Sequence, residues 1–550
     1  MKYAYSPVTP HKMVHPPNDQ GGCTLQKSGY NCLMRKFLYV IVFISGLVSL
    51  AVEFAASRLL GNYFGTSNLV WASIIGLILI YLTAGYFIGG AWADRSPKHE
   101  TLYKILSWAA LSVGLIPLAS RPILRLASSA FDQLQMGALI GSFVVVMVLF
   151  IIPVTLIGTA SPFAIRLAIT DTAQAGKVSG RIYAISTLGS FLGTFLPTLL
   201  LIPTIGTYRT FLALASLLML FSFSGFIITS GWRKLLPYLW MPFVIIALFV
   251  WGVPGTDKNN PGMVYETESS YNYIQVLEED DVYMLRLNEG QGVHSVYKAD
   301  QLYFNGPWEQ VVAAPFFNSA PVSPDRITDI AIIGLAAGTT ARDAAVVFPN
   351  AVIDGIEIDP KIVEVGRRYF DMNDPNLNVI VQDGRWAIKN STKKYDIISV
   401  DAYRPPYIPW HMTTQEFFQI LKDHLKEDGV MVINIGRGVD DRRLIDSLYA
   451  TIHTVFPTLY VSDLSGSFNS ILFATNSETS LQNFLDNYVA LNKDPVSNQF
   501  LLGVMATTYA GLKDTPNTGM VFTDDLAPIE EITNSIIMQI IFSGEVETLQ

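Results

Sequence analysis

Two neighbouring stretches, Ile330-Ala-Ile-Ile-Gly334-Leu-Ala-Ala-Gly338-Thr-Thr340 and Ala351-Val-Ile-Asp-Gly-Ile-Glu357-Ile-Asp359-Pro360, decide the fold. Each begins as a short β-rich apolar run and closes on a turn into a helical pattern. Gly334 and Gly338 let the backbone approach a ligand, and the helix start beyond them offers free N–H groups. The loop is not the GxGxxG dinucleotide fingerprint. Glu357 lies 23 residues beyond Gly334, the place and distance at which a carboxylate accepts both hydroxyls of a ribose. Asp359 precedes Pro360 as an N-cap followed by proline at the first helical position, and reads as structural.

Working outward, Asn378–Val381, Asp396–Val400 and Val430–Ile435 are further β-rich runs. Helical patterns near 338–348, 360–371, 413–426 and 438–455 separate most of the strands. Such alternation predicts a Rossmann-like α/β domain, a parallel sheet covered on both faces with any ligand at the C-terminal strand ends. The third strand ends on Gln382-Asp383-Gly384, where Asp383 can accept from an exocyclic amine, and the fourth ends on Asp401. Four successive strand ends carrying Gly334 and Gly338, Glu357, Asp383 and Asp401 predict a nucleoside pocket. Upstream, Tyr273–Leu277 and Val282–Leu287 read as a β-hairpin.

The rest of the chain has another character. Its 550 residues are 50% hydrophobic and only 15% charged, with a mean hydropathy of +0.34. These values exclude disordered, collagen-like and small disulfide-framework classes. Residues 1–255 hold 17 Lys and Arg against 6 Asp and Glu, and residues 256–550 hold 20 against 40. An acidic second half argues against nucleic acid, whose phosphates require clustered cations. Cys23 and Cys32 both lie near the N-terminus, so the second half has no disulfide, thiolate metal site or cysteine nucleophile. No metal cluster stands out.

Apolar runs recur at about 38–57, 68–92, 102–119, 136–159, 182–204, 208–229 and 235–252. Each has the length of a membrane span, so seven crossings of a lipid bilayer are expected. The steps Gly85-Tyr-Phe-Ile-Gly89 and Gly189-Ser-Phe-Leu-Gly193 read as close helix packing. Glu53 lies deep in the first span. It is either satisfied inside the bundle or part of a proton or cation pathway. The expected organisation is a disordered tail over 1–36, a polytopic helical membrane bundle over 37–252, a linker over 253–272 and a nucleoside-binding domain over 273–550. Eleven positive residues, among them Lys36, Arg95, Arg166 and Lys234, fall on the N-terminal side of the bundle, against Arg58, Arg121, Arg125, Arg209 and Lys258 on the other. The positive-inside rule makes the N-terminus cytoplasmic. Seven crossings then put the second half outside, away from a cytosolic nucleotide, unless a crossing is miscounted around Pro153 to Ala168.

The run Glu268-Ser-Ser-Tyr-Asn-Tyr-Ile-Gln-Val276, the loop from Gly334, Ile356-Glu-Ile-Asp359, Gln382-Asp-Gly384, and Asp401 followed by Pro405-Pro406 and Thr414-Gln-Glu-Phe-Phe418 resemble spermidine synthase, the polyamine aminopropyltransferase family. With the preceding spans and Thr523-Asp-Asp-Leu-Ala-Pro528, the chain is similar to its membrane-fused branch. The resemblance implies a methyltransferase/spermidine-synthase fold with a small N-terminal β-hairpin region. The co-substrate it implies is decarboxylated S-adenosylmethionine or S-adenosylmethionine, with Asn272 near the nucleoside, Glu357 on the ribose, Asp383 on the adenine amine and Asp401 as general base. A homodimer is compatible with it.

The chain departs from the family in three places, the first being Asn272 where the family has Gln near the nucleoside. The glycine loop has Ala337 where the family usually has an aspartate for the aminopropyl ammonium, and Arg404 stands where a second carboxylate is usual. A guanidinium repels a diamine, so the acceptor expected is a small amine or zwitterion other than simple putrescine, its carboxylate facing Arg404. Trp308 and Tyr303 are candidates for the acceptor side, His294 and His411 for the pocket mouth. Two other readings stand beside the transferase: a transporter or exporter with a nucleoside-sensing domain, and a methyltransferase acting on a membrane-proximal substrate.

Overall fold

The computed structural model describes residues 24–64, 68–134, 138–169, 171–252, 258, 260–288, 292–403, 407–438, 441–493, 498–515 and 517–543. Arg404, Pro405, Pro406 and Cys23 lie outside the described residues, as does residue 23 and everything before it in the expected tail. From Thr24 onward that tail is already helical, so its expected boundary at 36 moves back.

The first half is a bundle of α1 (Thr24–Phe64), α2 (Asn68–Arg95), α3 (His99–Leu134), α4 (Ala138–Gly158), α5 (Ala160–Ala168), α6 (Ala175–Leu196), α7 (Ile202–Ser230) and α8 (Trp240–Trp251). Among the described residues five elements are long and apolar enough to cross a membrane: Met34–Phe64, Val70–Arg95, His99–Leu126, Phe143–Ala168 and Thr172–Ser230. A sixth is added if Trp232–Tyr238 and Trp240–Trp251, bent by 53°, count as one span. The fifth element takes in two of the seven expected runs. Its 59 residues far exceed what a hydrocarbon core of about 30 Å needs. It breaks at Gly206, where φ is 79° and ψ is 168°. Over Pro153 to Ala168, α4 and α5 meet at Thr159, itself in helical conformation, and form one apolar element.

Glycines seat the helices against one another. A Cβ on Gly189 would lie 2.0 Å from the Phe43 carbonyl oxygen and one on Gly193 2.1 Å from that of Leu47, so α6 presses on the α1 backbone. Likewise a Cβ on Gly85 would lie 2.4 Å from the Thr155 oxygen, and one on Gly89 2.6 Å from the Thr159 Cα. Both small-residue steps are packing seams, as their spacing predicts.

The second half opens with a four-stranded antiparallel sheet, β1 (Met263–Glu268), β2 (Tyr273–Glu279), β3 (Val282–Leu287) and β4 (Val293–Tyr297). The expected hairpin is β2 and β3. Strand β1 lies inside what reads as linker in the sequence. The main sheet comprises β5 (Asp329–Ile333), β6 (Val352–Glu357), β7 (Leu377–Val381), β8 (Tyr395–Val400), β9 (Leu425–Gly436), β10 (Thr458–Asp463), β11 (Asn469–Thr475) and β12 (Leu512–Lys513), in the order β12-β10-β11-β9-β8-β5-β6-β7. Strands β9 to β7 in that order are parallel, and β11, β10 and β12 extend the sheet antiparallel, so it is mixed rather than wholly parallel.

Side chains of a strand alternate between faces. Ala331 and Ile333 join one core with Phe417 and Leu421 of α12 (Gln415–Asp423) and Leu444 and Leu448 of α13 (Arg443–His453). Ile330 and Ile332 join another with the helix Thr339–Val347, here α9, and with Phe484 and Leu501 of the helices Leu481–Lys493 and Gln499–Ala510. Two further helices, α10 (Pro360–Tyr369) and α11 (Gly384–Lys389), follow β6 and β7.

Candidate active site

The strand order reverses at β5, whose neighbours are β6 on one side and β8 on the other. At such a switch point the loops diverge and leave a crevice beyond the strand ends. Parallel register pairs Ile333 with Ile356 and with Val400, and Val400 with Ile433. The next residues, Glu357, Gly334, Asp401 and Asn434, therefore form one row, with adjacent strands about 4.8 Å apart. Gly334 has a φ of 87°, and a Cβ there would lie 2.4 Å from the Asp401 carbonyl oxygen. Only glycine satisfies both conditions, so this position lets the β5 and β8 ends close on each other.

Glu357 is 7% exposed. Its Oε2 accepts the Ala336 N–H and its Oε1 the Asp359 N–H, both at 3.0 Å. Burial nevertheless pushes its carboxyl up to about 7, against those backbone donors. A buried carboxylate of this kind has lone pairs left over and gains from further donors, which the two hydroxyls of a ribose supply. Asp359 does cap α10, accepting the Lys361 N–H at 2.9 Å, but its Oδ2 also accepts from Ser269 Oγ at 2.5 Å and Asn272 Nδ2 at 3.0 Å.

Asp401 is partly buried, and burial pushes its carboxyl up to about 6, opposed by the Asn434 amide, which donates to Oδ1 at 3.0 Å. Asn469 Nδ2 donates in turn to Asn434 Oδ1 at 2.8 Å, fixing which way that amide points. Tyr403 donates to the Asn434 carbonyl at 3.1 Å and accepts the Gly436 N–H at 2.8 Å, pinning the start of the loop after β8. Sequence reasoning missed Asn434, Asn469 and Tyr403. A polar residue within an otherwise apolar run, as Asn434 is in Val430–Ile435 of β9, is the signal that marks one of them.

Asp383 caps α11, accepting the Trp386 N–H at 2.9 Å, and its Oδ2 lies 3.4 Å from His411 Nε2. The second oxygen thus faces the His411 ring. The segment at Thr523–Asp525 braces this corner: Asp524 takes both Arg385 nitrogens at 2.7 Å and the Thr414 hydroxyl at 2.7 Å. Gly338, with a φ of 92°, closes the glycine loop into α9. That loop is bolted to the small sheet, where Ser295 Oγ accepts the Ala337 N–H at 2.9 Å and Thr339 exchanges two hydrogen bonds with Val296 at 2.9 Å each.

Asn272 spends its amide on Asp359 and on Asn288, whose Nδ2 donates at 2.9 Å. It therefore orients the Glu357 loop. Trp308 donates to the His294 carbonyl at 3.1 Å. Burial lowers the His294 ring to about 4, which keeps it neutral. Ala337 is 1% exposed and packs with Ile274, Val276, Leu285 and Ile362, so the loop position where the resemblance leads one to expect an ammonium-binding carboxylate is part of an apolar core.

This arrangement is an α/β domain that gathers the carboxylates Glu357 and Asp401, both raised by burial, at neighbouring strand ends. Residues 316–465 match the spermine/spermidine synthase domain. The C-terminal half carries a domain of that family. The chain is 31% identical over 292 residues to a probable polyamine aminopropyl transferase of Bifidobacterium longum, covering 51% of this chain and 64% of the relative, just under two thirds of its length. Polyamine aminopropyltransferase 2 of Aquifex aeolicus is 24% identical over 426 residues, 76% of this chain and 82% of the relative, an overlap too long to fit within residues 263–550. Among solved structures, a spermidine synthase in complex with the transition state analogue AdoDATO is 20% identical with a TM-score of 0.37, covering 46% of this chain and 85% of that one.

Proposed function

We propose that this protein is a membrane-anchored transferase that binds S-adenosylmethionine or its decarboxylated form and passes a carbon group from the sulfonium to an amine. The observation that supports this best is the single row at the strand ends, in which the buried Glu357 and the partly buried Asp401, both with raised carboxyls, flank the Gly334 turn. Glu357 holds the ribose and Asp383 the adenine amine. The acceptor nitrogen attacks the carbon beside sulfur, an N–C bond forms, the C–S bond breaks with its electron pair going to sulfur, and Asp401 takes the amine proton. The buried Ala337 leaves the aminopropyl ammonium without a carboxylate in the glycine loop, and the sequence has Arg404 where a second carboxylate is usual, so the acceptor in this reading is an amine or zwitterion other than simple putrescine.

Mass spectrometry of the nucleoside product tests this reading. Methylthioadenosine identifies aminopropyl transfer and S-adenosylhomocysteine identifies methyl transfer. If neither forms with any amine, or Asp401→Asn forms product at the wild-type rate, the proposal is wrong.

The bundle is the anchor. Asp94 at the end of α2 pairs with Arg166 at 3.0 Å, and Glu100 at the start of α3 with Lys234 at 3.2 Å, so these basic helix ends share one face. Arg58, near the end of α1, meets the second half at Glu268, on the face where α2 begins. The second half therefore docks opposite the basic face, outside the cytoplasm by the positive-inside rule.

A further inference from the structure

We propose that Arg58, on the helical bundle, is a positioning residue for the nucleoside carboxylate Glu357, acting through Glu268, Ser269 and Asp359. The inference rests on the nucleoside reading of Glu357 given above. The Arg58 guanidinium donates through Nε to Glu268 Oε1 at 2.9 Å, through Nη1 to the Tyr271 carbonyl at 3.1 Å and through Nη2 to the Ser269 carbonyl at 2.6 Å. From α7, Thr207 gives Glu268 its backbone N–H at 3.1 Å and its hydroxyl at 2.6 Å. Arg58 thus holds both ends of one short turn, and a second helix of the bundle holds its first residue. Arg58 and Glu268 are each 17% exposed, so the pair is shielded and costly to break.

The same turn continues to the site. Ser269 Oγ accepts the N–H groups of Tyr271 at 3.0 Å and Asn272 at 2.8 Å, and donates to Asp359 Oδ2 at 2.5 Å, the oxygen that also accepts from Asn272. The Asp359 N–H then donates to Glu357 Oε1 at 3.0 Å. Every link from Arg58 to Glu357 is a hydrogen bond or the covalent backbone of residues 268–269 and 359. A contact that merely glued two halves together would end at Glu268. This one ends on the oxygen that a ribose hydroxyl needs.

The test uses the full-length protein in detergent micelles, with methylthioadenosine as the calorimetric probe. Arg58→Ala is expected to weaken probe binding roughly tenfold, the middle of the range for partners in one hydrogen-bond network, and Arg58→Lys to recover part of it. Ser269→Ala, which leaves the Arg58–Glu268 pair whole, carries the same expectation should Arg58→Ala fail to fold. In turnover the loss falls on the nucleoside KM, with kcat within about twofold, a split that general loosening of the fold does not produce. The double variant is expected to bind no worse than the weaker single one. Wild-type affinity in both single variants, or fully additive losses, overturns the proposal. A wild-type protein that fails to bind the probe overturns the nucleoside reading itself.

Discussion

In the proposed reaction Asp401 takes the amine proton; its partner is a neutral amide rather than a cation, and burial raises its carboxyl to about 6. Asp401→Asn keeps shape and can still accept from Asn434, but cannot take a proton. The expected result is a kcat lower by roughly 10²- to 10⁴-fold with nucleoside affinity near wild type, read by steady-state turnover and calorimetry. The pH profile follows with a definite sign. Both carboxyls work ionised, and both are raised, so activity is lost as pH falls. For the nucleoside, kcat/KM should drop through two proton uptakes, near the values of about 7 for Glu357 and about 6 for Asp401. A flat profile between pH 5 and 8 contradicts these roles. At this scale the sequence was informative where strands end in Gly, Glu or Asp. It was silent where a residue's role comes from distant partners: Asn272 reads as a ligand contact until Asp359, 87 residues away, is seen to occupy it.

At the scale of elements, the alternation of apolar runs and helical patterns makes β5 to β9 legible, since each strand announces itself locally. Strands β10 to β12 are not legible in the same way, because they join antiparallel, β11 on β9, β10 on β11 and β12 on β10, so their place is set by partners distant in sequence. The helix seams were visible as glycine spacing, but the partner of each seam was not. Helix α6 contains its own control. Gly180 has open space where a Cβ would go, whereas one on Gly193 would lie 2.1 Å from the Leu47 oxygen. Gly193→Val should therefore lower stability by at least about 2 kcal/mol, and Gly180→Ala should leave it unchanged or raise it slightly. Thermal unfolding of the two detergent-solubilised variants checks this, and equal effects would mean that α6 does not pack on α1 as described.

For the whole molecule, the proposed membrane anchoring makes the docking face decide on which side of the membrane the site would work. In a chain with Cys23 and Cys32 replaced by serine, a cysteine introduced by Lys389→Cys, on the exposed end of α11, should react with a membrane-impermeant maleimide in intact cells. Reaction only after permeabilisation would place the site in the cytoplasm and contradict either the count of crossings or the positive-inside assignment. Charge bias and span length were readable from composition, but the join between halves was not, because its ion pair links residues 210 apart in the chain. That join has a practical corollary for anyone trimming the protein to a crystallisable fragment. Cutting at 273 discards β1 and the turn that steadies the ribose carboxylate, while cutting just ahead of Met263 keeps them but strips Glu268 of its cation. On the nucleoside reading proposed above, either fragment would under-report the affinity of the intact protein, and a weak signal from it should not be read as an empty pocket.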